Sequence, residues 1–375
     1  EDPFLIAMFV PDFGANAKTA DTAKVWPLGR GEALRYAGIS EIDVLEVTRD
    51  AVRRLGTDPD RVTLHGDSMG GFGAYRLGTR YPDHWAAVIP VIGGGAADRN
   101  LFENLTNLPV RQINGALDPG ISYDAALDDA ALLDALEIPF VFYGLLDRGH
   151  DPSANSQCVR DQAAVFIRNA NPARVVYRVD PTTFQFDPSR DVDIVYNSAY
   201  WVSGLELADG EAEGEVRTTS DALPHSVESI VRSDLVLGNT TEARDLCGPN
   251  PDFAPGWSPA FPNGESWREI SLERVPGDPE PLSNLLDVEL TNIGRVSLDL
   301  QRAGFGLGEA GTIMVSSDSA VELTLIELRR GAPILIGGAW AGRVGPGGVA
   351  TLALPEGESV VGIRACDRGP LGHRC

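Results

Sequence analysis

Ser68 is the residue with the clearest means to do chemistry. It lies in RVTLHGDSMGGFGAY, where Gly66-Asp67-Ser68-Met69-Gly70 fits the pattern G-x-S-x-G. A serine hydroxyl is a poor nucleophile until a base takes its proton and the backbone presents its oxygen clear of the chain. A sharp turn from strand into helix does this, and it needs glycines where side chains would collide. VTLH is strand-like, the residues after Ser68 read as a helix, and Gly71 and Gly73 follow, so the pentapeptide stands in the context its chemistry requires. The amide of Met69, next after the nucleophile, is the expected donor to a developing oxyanion.

A nucleophile so placed calls for an acid and then a histidine further along the chain. Beyond Ser68 the histidines are His84, His150, His225 and His373. His84 sits just past the proline that ends the elbow helix, and His225 and His373 fall in the later, strand-rich half. His150 remains, in the loop GLLDRGHDP after the strand-like FVFYG, and a loop at a strand's carboxyl end can reach the elbow. For the acid, Asp118 closes VRQINGALD and is followed by Pro119-Gly120, which stops regular structure. Asp147 is the alternative acid, although it and Asp151 flank the histidine closely. Asp124, Asp128 and Asp129 read as solvated positions of the next helix, and Asp67 as an exposed elbow residue.

The elements that would position these groups alternate in the first half of the chain. Strands are expected over Phe4–Val10, Val62–His65, Ala86–Ile92, Val110–Asn114 and Pro139–Tyr143, with helices between them, the pattern of a parallel sheet flanked by helices. The helices are a segment capped by Ser40 and running to Leu55 with Gly56 just past its end, Met69–Arg80, Ser122–Leu136, and a last one over Ser156–Asn169. From about Val175 the period becomes two. DVDIVY, LLDVELTNIG, RVSLDLQRAG, AVELTLIEL and GVATLALPEG alternate apolar with polar residues between turn signals, which predicts half-buried antiparallel strands of a sandwich or barrel. The expected division is 1–172, an α/β domain, and 173–375, a β-rich accessory domain. Residues 247–267 interrupt the second half with Pro and Gly among Phe253, Trp257, Phe261 and Trp267. These aromatics either pin a long loop onto the sandwich or form a platform for a sugar or another apolar ligand.

WPLGRGEALRYAGISEIDVLEV, DPDRVTLHGDSMGGFGAY, NGALDPG and DRGHD together resemble the catalytic domain of the prolyl oligopeptidase family, peptidase family S9, within the α/β-hydrolase superfamily. The resemblance covers residues 1 to about 170. It implies an α/β-hydrolase fold, a serine hydrolase acting on a peptide or carboxylic ester, and Ser68, Asp118 and His150 as the catalytic triad. Domains of this kind usually begin with three more strands, and the loop after the third supplies a second oxyanion donor. The chain opens at what looks like the fourth strand, so the domain is expected to be N-terminally incomplete. The chain carries no initiator Met and shows no signal peptide, as if it were a piece of a longer polypeptide.

Composition bounds the partners. The chain has 375 residues, 43% apolar and 23% charged, which is ordinary for a globular protein. Its formal charge of −23 argues against nucleic acid, where binding begins with neutralising phosphates, and against anionic membrane surfaces. The apolar runs are too short to span a bilayer. Lysine occurs only at Lys18 and Lys24, so almost all positive charge is arginine. Cys158, Cys247, Cys366 and Cys375 form no C-x-x-C pair, and no H-E-x-x-H is present, so no metal or other cofactor is expected. Cys366 and Cys375 are either a small disulfide loop, which would suit an extracellular or periplasmic protein, or two free thiols. The expected partner is a peptide or small-molecule substrate. A rival reading is a non-catalytic binding protein with a degenerate hydrolase half, whose β domain holds a glycan or a protein partner.

Overall fold

The computed structural model describes residues 4–9, 22–27, 36–150, 166–187, 192–237, 266–365, 367–369 and 372–374. The chain forms two compact units, and each is discontinuous. The first comprises Glu1–Asn169, Gln185–Ile194 and Ile230–Val275; the second comprises Ala170–Phe184, Val195–Ser229 and Pro276–Cys375. The chain first crosses between units at 169/170, near the division expected at 172/173, and crosses four more times after it.

In the first unit, eight strands form one sheet. They are β1 (Phe4–Phe9), β2 (Thr22–Val25), β3 (Val62–Asp67), β4 (Ala87–Val91), β5 (Val110–Gly115), β6 (Phe140–Leu145), β7 (Ser226–Leu237) and β8 (Trp267–Pro279). Their spatial order is β7-β8-β6-β5-β4-β3-β1-β2. The strands β3 to β6 are parallel to one another, and their apolar residues, among them Leu64, Val88, Ile89, Val110 and Phe142, are buried. Burial on both faces explains why these strands read as continuous apolar runs.

The edges depart from the parallel expectation. β1 pairs antiparallel with β3, with Phe4 opposite Gly66, and β2 pairs antiparallel with β1. An apolar run signals a strand but carries no information about its direction, which the connections decide. At the other edge β8 pairs antiparallel with β6, Trp267 opposite Leu145 and Leu272 opposite Phe140. Trp267 is only 4% exposed and belongs to a buried cluster with Val91, Ile113, Tyr143 and Leu145, so it is part of the core of the first unit rather than pinning a loop onto the sandwich or lining a platform. Phe253, Trp257 and Phe261 lie outside the described residues, as do the four cysteines.

Among the described residues three α-helices flank the sheet: α1 (Ile39–Leu55), α2 (Met69–Arg80) and α3 (Tyr123–Ala135). Ser40 falls inside α1 rather than capping it. The start is made by Gly38, whose positive φ of 63° turns the chain in and whose amide donates to Glu41 Oε1 at 3.0 Å. Glu41 is buried, which raises its pKa against the opposing pull of Arg80, the guanidinium bonded to it. Gly56 ends α1 in the left-handed conformation, as expected, and Ser122 Oγ accepts from the Ala125 amide to cap α3. Of the helix expected over Ser156–Asn169, residues 156–165 lie outside the described residues and 166–169 have no helical structure.

The second unit is a two-sheet sandwich. Its four-stranded sheet runs Val202–Leu207, Ile293–Asp299, Val321–Ile326, Ala350–Leu354; its seven-stranded sheet runs Ala339–Arg343, Pro333–Ile336, Gly357–Ile363, Gly311–Ser317, Leu285–Thr291, Gly214–Ser220, Arg174–Val179. Inward residues of both sheets, including Val216, Val288, Val296, Ile313 and Leu323, make one buried cluster with Trp201. Not all pairs are antiparallel as expected: Leu285–Thr291 runs parallel to Gly311–Ser317, and Ile293–Asp299 parallel to Val321–Ile326. In both cases consecutive strands enter opposite sheets instead of forming a hairpin, so their counterparts stack in the same direction. At the first of these junctions Asn292 takes a φ of 57°, tolerable for Asn. DVDIVY supplies Val192–Val195, which pairs with Phe184–Asp187 as a separate ribbon and not with the sandwich.

Candidate active site

Ser68 stands between β3 and α2 with φ 52° and ψ −112°, a conformation that non-glycine residues rarely hold. The turn is fixed from both sides. The Ser68 amide donates to Val91 O at 2.8 Å, and the Gly71 amide donates to Ser68 O at 2.9 Å. Glycine is required at 66 because a Cβ there would lie 2.0 Å from Gly70 O, and at 71 because one there would lie 2.9 Å from Gly93 Cα. Gly66→Ala is expected to cost at least about 3 kcal/mol, since the obstacle is backbone that cannot step aside. Urea denaturation of the purified variant checks this, and a midpoint within error of wild type would contradict it.

Asp118 follows β5, where the chain is tied to the histidine loop: Leu117 N donates to Arg148 O at 2.8 Å. Its side chain is fully buried. Oδ1 accepts from the Gly120 amide at 2.7 Å and the Ile121 amide at 2.9 Å, while Oδ2 lies 2.7 Å from His150 Nδ1. Burial works against the carboxylate's charge, but the Ile121 amide, the His150 ring and the Gly120 amide outweigh it and hold Asp118 below its ordinary value of 3.8. With its folded pKa depressed, the group contributes stability that is complete above the unfolded value and is lost as pH falls through the folded one. Asp118→Asn should therefore lower the melting temperature more near neutral pH than at about pH 3. Thermal melts across that range test it; an equal loss at both ends would refute it.

His150 completes the line. Its Nε2 lies 2.9 Å from Ser68 Oγ, and its side chain is 35% exposed, so solvent or a ligand reaches the ring. With the carboxylate accepting from Nδ1–H, Nε2 carries the lone pair that faces the serine hydroxyl. Met69 opens α2, where first-turn amides have no partner within the helix. The structure thus brings Ser68, His150 and Asp118 together, with Met69 at the adjoining helix end. Among the described residues no group of three or more His, Cys, Asp or Glu side chains is placed to hold a metal ion, and no helix is long and apolar enough to cross a membrane.

Of the other acids, Asp124 and Asp128 are exposed as expected, while Asp67 and Asp129 are not. Asp147 Oδ2 accepts from the Ser266 amide at 2.9 Å and its hydroxyl at 2.8 Å, so the alternative acid is engaged elsewhere. Asp67 is buried, not exposed, with Oδ1 3.3 Å from His65 Nε2. Asp129 is also buried: Oδ2 accepts from the Gly95 amide at 2.8 Å and Oδ1 from Arg99 Nε at 2.6 Å, and burial raises its pKa despite both. Beside it, Tyr75 donates to Gln112 Oε1 at 2.5 Å, Gln112 donates to Asn114 Oδ1 at 3.0 Å, and Asn114 donates to Gly93 O at 3.0 Å. This chain of bonds links α2, which starts at the nucleophile, to β5, which leads to Asp118. One signal in the sequence points to Asp129: it shares the stripe Ala126, Ala130 and Leu133 that α3 buries.

No protein-family model matches the chain, and no curated protein does. Similar solved structures include the esterase PE8, at 22% identity over 34% of this chain and 61% of that one, with a TM-score of 0.31. A thermostable esterase matches at 23% identity over 28% of each chain, with a TM-score of 0.26. A SOBER1 variant from Arabidopsis thaliana matches at 20% identity over 33% of this chain and 64% of that one, with a TM-score of 0.28. The chain thus spans less than two thirds of each of these proteins. Agreement of that extent speaks to neither substrate nor mechanism.

Proposed function

We propose that the chain is a serine hydrolase that cleaves a carboxylic ester or peptide bond through an acyl-enzyme. The observation that carries this reading is the unbroken line of contacts from Ser68 Oγ to His150 Nε2 at 2.9 Å and from His150 Nδ1 to Asp118 Oδ2 at 2.7 Å. His150 takes the hydroxyl proton as Ser68 attacks the acyl carbon, and then returns it to the leaving group. Asp118 holds the tautomer and stabilises the imidazolium. The Met69 amide donates to the oxyanion as the tetrahedral intermediate forms. The strained backbone at Ser68 supports the same reading, because such strain persists only where surrounding structure imposes it and it concentrates at reactive sites.

Resemblance of the sequence motifs to the prolyl oligopeptidase family favours that branch of α/β-hydrolases. Substrate choice resides in pocket residues that follow no motif. Parallel turnover assays with p-nitrophenyl esters and proline-containing peptides separate esterase from peptidase. A fluorophosphonate probe, which reacts with activated serines, should label the wild type at Ser68; a chain that is neither labelled nor active on either substrate class would reject the proposal.

A further inference from the structure

We propose that Ser266 and Asp147 form a clamp that positions His150, so that a segment returning from the far half of the chain sets the reach of the catalytic base. The inference rests on the reading of His150 as general base. His150 lies in the loop leaving β6, and that loop is held on two sides. Towards the acid, Arg148 O accepts from Leu117 N at 2.8 Å. On the other side Ser266 makes three bonds to two consecutive loop residues: its carbonyl accepts from Leu146 N at 2.9 Å, and its amide and hydroxyl both donate to Asp147 Oδ2, at 2.9 and 2.8 Å.

Ser266 is a firm anchor because of its neighbour. Trp267 is buried in the core and in register with Leu145, the residue just before the loop, so Ser266 has little freedom to drift. Asp147 carries the charge of the clamp, its carboxyl held below the ordinary value by the Ser266 hydroxyl and amide. The geometry needs such a hold. A base works only within about half an ångström of its productive position, and a displacement of about 1 Å costs up to a hundredfold in rate. His150, 35% exposed, is not buried deeply enough for packing alone to fix it.

Asp147 is exposed and Ser266 half-buried, outside the core, so both can be altered without opening it. In the full chain, Ser266→Ala and Asp147→Ala should each lower kcat on a p-nitrophenyl ester about tenfold, with KM changed less than about twofold and an unaltered melting temperature. The double variant should be no worse than Asp147→Ala, because the one bond that Ser266→Ala removes is among the two that Asp147→Ala removes. Ser266→Thr, which keeps the hydroxyl, should restore kcat. The downfield NMR signal of the His150 Nδ1 proton should broaden in the alanine variants and remain sharp in the threonine one. Wild-type kcat and an unchanged proton signal in both alanine variants would overturn the clamp, as would losses that multiply in the double variant. A wild-type chain that neither turns over ester nor takes up the fluorophosphonate probe would overturn the hydrolase reading and the clamp with it; an active wild type with indifferent variants would overturn the clamp alone.

Discussion

Alanine at Ser68, alanine at His150 and both together should lower turnover by the same factor, about a millionfold. The reason is that attack and proton transfer are one event. Without the base the hydroxyl at 2.9 Å from Nε2 is an ordinary alcohol, and without the hydroxyl the base has nothing to activate. Removing the second partner then takes away nothing that still operates. What remains is binding and the Met69 amide, which together leave roughly 10³ over the uncatalysed rate. Asp118→Asn should fall short of this, at about ten-thousandfold, because the imidazole stays in place but loses the acceptor that fixes its tautomer. Steady-state kinetics on matched preparations measure all four variants. Losses that multiply in the double variant, or a single loss below about tenfold, would mean that the two residues do not act as a unit.

The second large effect concerns the sheet rather than the chemistry. A chain cut after residue 172 keeps Ser68, Asp118 and His150, yet it should fail to form a soluble, probe-reactive domain. It loses β7 and β8, so β6 becomes an open edge in register to capture other chains. It also loses Trp267, which lies opposite Leu145 and belongs to the buried cluster with Val91, Ile113 and Tyr143. In the full chain, Trp267→Ala alone should cost about 3–5 kcal/mol, within reach of the whole stability of a domain. Size-exclusion chromatography and fluorophosphonate labelling of the truncated chain decide the matter. A monomer that labels like wild type would show that the distal strands are dispensable.

The central site was legible from the sequence because its signals are local. Gly66-Asp67-Ser68-Met69-Gly70 announces a turn that backbone sterics alone demand, and Asp118 and His150 each follow an apolar run that could only be a buried strand. The parallel strands and the three helices were found for the same reason. What escaped was non-local. Nothing in FLIAMF states that β1 runs against β3, and nothing in WREISL states that it joins β6. Trp267 looked like one more aromatic in a Pro/Gly-rich stretch, although its environment lies in residues far earlier in the chain. The sequence likewise predicts solvated positions for Asp67 and Asp129, because a carboxylate is usually exposed. Asp67 is buried with the whole of β3, whose neighbour β4 comes from later in the chain, and Asp129 meets Gly95 and Arg99, which only the folded chain brings near.

The pairing of β6 with β8 also bears on how the protein is made. Asp147 and the Ser266 that grips it are 119 residues apart, so at a synthesis rate of about 10 residues per second the first half waits roughly ten seconds on the ribosome before its sheet can close. During that interval Ser68, Asp118 and His150 have all emerged, but the nascent domain exposes an unpaired strand of the kind that chaperones shield. Maturation of activity should accordingly lag behind completion of the serine, aspartate and histidine codons, and follow the arrival of the distal strand instead.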